Sequence, residues 1–206
     1  MSFGYIGDTS TSVKQQVKNK GILTTQESFD LERQGFLGGS LELIEEQTAS
    51  SSSALDFTNL GNYDVHYMTL DNFQCTTSTT RYVAARVSND GGSSYESGSN
   101  YQRAWFRINT SGTNAEIKST SETSMSNFFS IDSDNRTSQA YIYFYNLQNS
   151  SKYSFATFQS FNSVGDYTYF GGMVYAVAET INALRIFPDG DALATGNAKL
   201  YGVKQI

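Results

Sequence analysis

The sequence is short of most residues that catalysis and covalent stabilisation draw on. It holds one cysteine, Cys75, so no disulfide can form within the chain, and stability must come from packing or from assembly with other copies. The thiol itself reads as a small buried apolar group. There is one histidine, His66, in the alternating run Tyr63-Asp-Val-His-Tyr, where a histidine is a structural strand residue. With no Gly-x-Ser-x-Gly elbow and no cysteine beside a second base, nucleophilic catalysis has no support. One His and one Cys cannot complete a zinc ligand set either. Charged residues make up only 17%, the net charge is −6, and the cations are not clustered, which excludes a nucleic-acid binder that must neutralise phosphates. No basic segment leads into an apolar run of signal-peptide length, and no stretch approaches about 18 apolar residues. The expectation is a soluble chain, made in the cytoplasm, with no membrane insertion. A single proline leaves the turns to glycine, asparagine and aspartate.

What the sequence does have is rings and hydroxyls. Fourteen Tyr and fourteen Phe stand among abundant Ser, Thr and Asn, a mixture that favours sheets over salt-bridged helices. A length of 206 residues suits one generous all-β domain. From Ser40 onward the pattern is period two, and strands are expected over 41–48, 54–58, 65–73, 82–88, 104–109, 140–147, 153–161, 173–178, 181–187 and 198–203. The clearest alternation is Tyr141-Ile-Tyr-Phe-Tyr. There Ile142 and Phe144 face a core while Tyr141, Tyr143 and Tyr145 line the other face, either as cross-strand packing or as a partner or glycan surface. Trp105 is a further candidate for stacking on sugars, although in Arg103-Ala-Trp-Phe-Arg one of Trp105 and Phe106 must face inward. Turns are expected at Asn89-Asp-Gly-Gly, Gly112-Thr-Asn and Asp189-Gly-Asp, with a longer low-complexity loop over 90–100.

Residues 1–40 differ in kind and read as an arm ahead of a sandwich over 41–206. A short helix is expected from Thr24, whose hydroxyl caps the first turn with Glu27 reaching back, to Gly35, with Phe29 and Leu31 as its apolar surface. A helix of that length is marginal alone, so the arm should be held by docking, with Phe3, Tyr5 and Ile6 as further anchors.

Carboxylate pairs are the remaining route to chemistry, since glycan-cleaving enzymes need only two. Glu42 and Glu46 fall on one face of the first strand and Glu45 on the other, a pattern better explained by a solvated strand face. Asp132-Ser-Asp-Asn and Asp189-Gly-Asp are oxygen-rich turns without a full calcium ligand array. Gly38-Gly39 and Gly171-Gly172 lack the strand–loop–helix setting of a phosphate cradle. No catalytic residue, metal or cofactor is implied.

Three segments carry a family resemblance: Met1-Ser-Phe-Gly-Tyr-Ile-Gly-Asp-Thr-Ser; Gly38-Gly-Ser-Leu-Glu-Leu-Ile-Glu-Glu-Gln-Thr with Ala54-Leu-Asp-Phe-Thr; and Ile181-Asn-Ala-Leu-Arg-Ile-Phe with Lys199-Leu-Tyr-Gly-Val-Lys. They resemble tailed-bacteriophage virion proteins of the marine, cyanophage type. The resemblance covers both ends best and residues 75–165 only in pattern. It implies an all-β, antiparallel jelly-roll or concanavalin-like β-sandwich preceded by the arm. It also implies a non-enzymatic peripheral virion protein, either a capsid decoration or a tail- or fibre-attached component. Its partners would be other phage structural proteins and further copies of itself. The alternative it leaves is a lectin-like receptor-recognition module of a tail fibre that binds host-surface glycan.

Overall fold

The computed structural model of the protein describes residues 25–26, 40–134, 136–162 and 164–204. Phe3, Tyr5, Ile6, Phe29, Leu31 and the rest of the expected arm and helix lie outside the described residues, apart from Thr25 and Gln26, which are helical. Contacts group residues 42–203 into one compact unit.

The chain from residue 41 forms strands throughout: β1 (Leu41–Ser52), β2 (Leu55–Phe57), β3 (Val65–Cys75), β4 (Arg81–Ser88), β5 (Tyr101–Asn109) and β6 (Asn114–Glu122), then β7 (Met125–Ile131), β8 (Ser138–Tyr145), β9 (Ser154–Asn162), β10 (Tyr167–Tyr175), β11 (Ala183–Pro188) and β12 (Leu193–Val203). An eight-stranded sheet runs β1-β12-β3-β8-β9-β10-β5-β6, and a four-stranded sheet runs β2-β11-β4-β7. The resulting antiparallel β-sandwich is the expected one. Its pairs are nested: β3 with β12, β4 with β11 and β5 with β10 lie alternately in the large sheet, the small sheet and the large sheet again. That is the wrapping of a rolled-up long hairpin, the jelly-roll device.

Alternation along each strand explains which face is buried. In β9, Ser154, Ala156, Phe158, Ser160 and Asn162 are buried while Phe155, Thr157, Gln159 and Phe161 are exposed. The two sheets close on a core of rings and branched side chains, among them Phe57, Phe73, Phe128, Phe129, Phe144 and Leu200. Cys75 and His66 are buried in this interior. The His66 ring bonds the Leu60 carbonyl through Nε2 at 2.8 Å and meets the Tyr63 ring edge-on. Buried polar residues tie the sheets together across the core. The Ser160 hydroxyl donates to Phe128 O and that of Ser138 to Ser130 O, each at 2.7 Å, while the Ser130 amide donates to Asn162 Oδ1.

Trp105 is the residue of its dipeptide that faces inward, so the expectation of a sugar-stacking Trp105 is corrected. The indole is 6% exposed and stacks on Tyr169 with 4.9 Å between ring centroids. Its space comes from Gly171, its direct cross-strand partner, where an added Cβ would sit 2.4 Å from the Trp105 Cβ. Phe106 takes the outward place.

Candidate functional site

The small sheet covers one face of the large sheet and leaves the other to solvent. Register arranges the uncovered face in rows across the strands, because antiparallel partners share a face and the side chains alternate with period two. One row begins with Tyr201 on β12, Tyr67 on β3 and Tyr143 on β8. It continues with Thr157 on β9, Gly172 on β10, Ala104 on β5 and Lys118 on β6. Rings fill the first half, and the second runs through the small Thr157, Gly172 and Ala104 to Lys118 on the edge strand.

In the first half the rings touch. Tyr67 lies 4.8 Å from Tyr143 and 6.0 Å from Tyr201 between centroids, and Tyr143 stacks on Tyr145 at 6.4 Å. The Tyr141 hydroxyl donates to Gln159 Oε1 at 2.7 Å, and the Tyr145 hydroxyl shares a 3.2 Å hydrogen bond with Thr157 Oγ1. Burial by neighbouring rings raises the Tyr67 phenol above its ordinary pKa, with Tyr143 the next contributor, so it stays protonated and able to donate at neutral pH. Tyr141, Tyr143 and Tyr145 therefore lie on the outer face together, as the alternation predicts. A hollow of about 320 Å³ opens beside them, between Tyr67, Tyr141, Gln159 and Phe161.

In the second half the face sinks into an open trough of about 720 Å³. Thr157, Gly172, Ala104 and Lys118 belong to one lining row, and Phe155, Val174, Gln102 and Thr120 run beside them. On the far side of the Gly172 row, register puts Gln159, Phe170 and Phe106, the last two with ring centroids 5.6 Å apart. Tyr141, Phe155, Phe161 and Phe170 are each between 41% and 45% exposed. Several exposed rings on one sheet face mark a binding surface.

Glu46, Asp71 and Glu116 stand on this same face, Asp71 lining the hollow beside Tyr67 and Glu116 opposite Phe106, while Asp56, Asp90, Asp189 and Asp191 are engaged elsewhere. Glu46 accepts from Asn197 Nδ2 at 2.8 Å and pairs with Lys199 at 3.5 Å, and the Asn197 bond is the main cause of its lowered pKa. Asp191 pairs with Arg81 at 2.6 Å, and Asp189 caps the Tyr82 amide at 2.9 Å. Asp56 holds Arg185 through two hydrogen bonds of 2.7 Å, and that guanidinium lies 4.0 Å from the Tyr95 ring centre. Burial, helped by the Asp56 charge, pushes the Tyr95 phenol up to about 12. In the 90–100 loop, Asp90 accepts from the Ser94 hydroxyl and amide and from the Ser88 hydroxyl, which hold its carboxyl at about 2. Among the described residues no three His, Cys, Asp or Glu side chains gather to hold a metal. Nor is any described helix long and apolar enough to cross a membrane.

Sequence reasoning missed Phe155, Phe170 and Gly172 as members of this face. The signal was there in Gly171-Gly172: once β10 is taken to begin at Tyr167, both glycines fall inside a paired strand, where glycine needs a reason. Compared with protein-family models, curated proteins and solved structures, the chain matches none of them.

Proposed function

We propose that this chain is a non-enzymatic peripheral structural protein of a bacteriophage particle, a capsid decoration or a tail- or fibre-attached component, exposed on the virion surface. Residues 1–40 attach it to other phage structural subunits, and the sandwich presents the uncovered face of its large sheet. The observation that carries the reading is that face. Rings and hydroxyls predominate on it, with Glu46 held there by Asn197 and Lys199 and with Asp71 and Glu116 among them, whereas Asp56, Asp90 and Asp191 are held by cations and caps away from it. A surface so composed binds by burial and hydrogen bonding. Immobilising an arm costs about 1–2 kcal/mol per residue in backbone entropy, so attachment needs an apolar groove or several symmetric copies. The test is deletion of residues 2–23. The shortened chain is expected to fold and stay soluble but to be missing from purified particles, and incorporation at the native copy number would sink the attachment.

A second reading has its own observation in its favour. The trough is mainly apolar, with the Phe155 ring beside a few hydrogen-bonding groups from Thr157, Gln102 and Lys118, a combination that supports a lectin-like receptor-recognition role, compatible with the first.

A further inference from the structure

We infer that the trough receives a glycan chain lying across β9, β10, β5 and β6, and that position 172 is glycine to leave room for it. The inference rests on the lectin-like reading of the same face. Glycine in the interior of a paired strand weakens the strand and calls for a cause. At Gly171 the cause is internal, since any Cβ would collide with Trp105. At Gly172 it is not. Its φ lies outside the left-handed region, and a Cβ would meet only Ala156 O at 3.5 Å, an ordinary contact. Neither backbone conformation nor core packing asks for glycine there. A side chain would instead stand on the outer face, in the trough between Thr157 and Ala104.

The chemistry of the lining selects the occupant. The backbone N–H and C=O groups of β9, β10 and β5 are used in the ladders on either side, so a peptide laid across them would leave its own backbone unpaired. The trough is mainly apolar, from Phe155, Val174 and Ala104, and sets among these the hydroxyls of Thr157 and Thr120 and the amide of Gln102, which donate to and accept from sugar hydroxyls alike. The exposed Phe155 ring gives a face for the C–H side of a pyranose. Lys118, which makes no ion pair among the described residues, stands at the β6 end as a donor. Four adjacent strands span roughly 14 Å, longer than one sugar ring, so the site suits a short stretch of polysaccharide.

The full-length protein, labelled for amide NMR, is titrated with cellohexaose, maltohexaose, laminarihexaose, chitohexaose and oligoalginate. At least one is expected to shift the amides of Thr157, Gly172 and Ala104. Gly172→Val should weaken that binding by at least about tenfold without lowering the melting temperature, and Phe155→Ala should weaken it too. If Gly172→Val fails to fold, Phe155→Ala decides. Full affinity in the Gly172 and Phe155 variants, or shifts gathered around Tyr141, would overturn the trough and leave the lectin-like reading standing. Shifts from none of the five sugars would overturn both.

Discussion

Gly171 and Gly172 are neighbours in the chain with opposite obligations. Gly171 faces the interior, where the Trp105 Cβ and the Ala104 carbonyl would lie 2.4 and 2.5 Å from any added Cβ. Gly171→Ala is therefore expected to cost about 1–3 kcal/mol by overpacking, read in a denaturant titration, and a change under 0.5 kcal/mol would contradict the close approach. His66 carries a second residue-scale consequence. Its burial lowers the imidazole pKa below 6.5, and the opposing effect of the Leu60 carbonyl is the smaller one. Below about pH 6.5 the unfolded chain takes up a proton that the folded chain refuses, so stability is complete above that pH and is lost as the pH falls through it. The melting temperature should decline between about pH 7.5 and 5.5, before ordinary carboxylates titrate, and His66→Gln should flatten the decline. An unchanged slope in that variant would rule out His66 as the cause.

Among elements, the sequence made legible those with clean alternation. The run 141–145 gave both the strand and its faces, and the β5–β6 hairpin closes at Asn109–Gly112, a few residues ahead of the expected Gly112-Thr-Asn turn because Asn114 already begins β6, with the Gly112 amide donating to Asn109 O at 3.0 Å. β6 and β7 escaped. Asn-Ala-Glu-Ile-Lys-Ser-Thr-Ser-Glu is an edge strand with little to bury on either side, and its charges guard the edge instead of marking a core. In β7, Asn127 adopts φ +67, which breaks the period so that Phe128 and Phe129 in succession are both buried. β3 has a similar break. Asn72 at φ +59 sits in the register shift between Leu70 and Phe73, and its carbonyl accepts from the Thr195 hydroxyl at 3.0 Å. Replacing Asn72 with Val forces a β-branched residue into the left-handed region and should cost about 1–2 kcal/mol, whereas Gly should be nearly neutral. Equal stability of the two variants would refute the strain.

At the scale of the molecule, composition indicated two sheets rich in rings, and that is what the chain builds. Which rings face out was less legible. Trp105 and Phe106 could not be told apart until Gly171 was known to stand opposite Trp105, because that is a long-range pairing across some sixty residues of chain. The trough was invisible for the same reason: Thr157, Gly172, Ala104 and Lys118 come from four strands, and only register brings them into one row.

The place of β12 has a consequence for how the protein is made. Sheet order wedges this last of the described strands between β1 and β3, and β1 has no other described neighbour in its sheet. A chain still emerging from the ribosome can close the β5–β6 hairpin and the β8–β9–β10 meander, but β1 must wait, unpaired, for residues 193–203. Translation therefore delivers the middle of the sandwich first and its outer wrap last. A transcript cut short after β10 leaves β3 with an open hydrogen-bonding edge beside an aromatic face, the condition under which nascent sheets find one another instead of themselves.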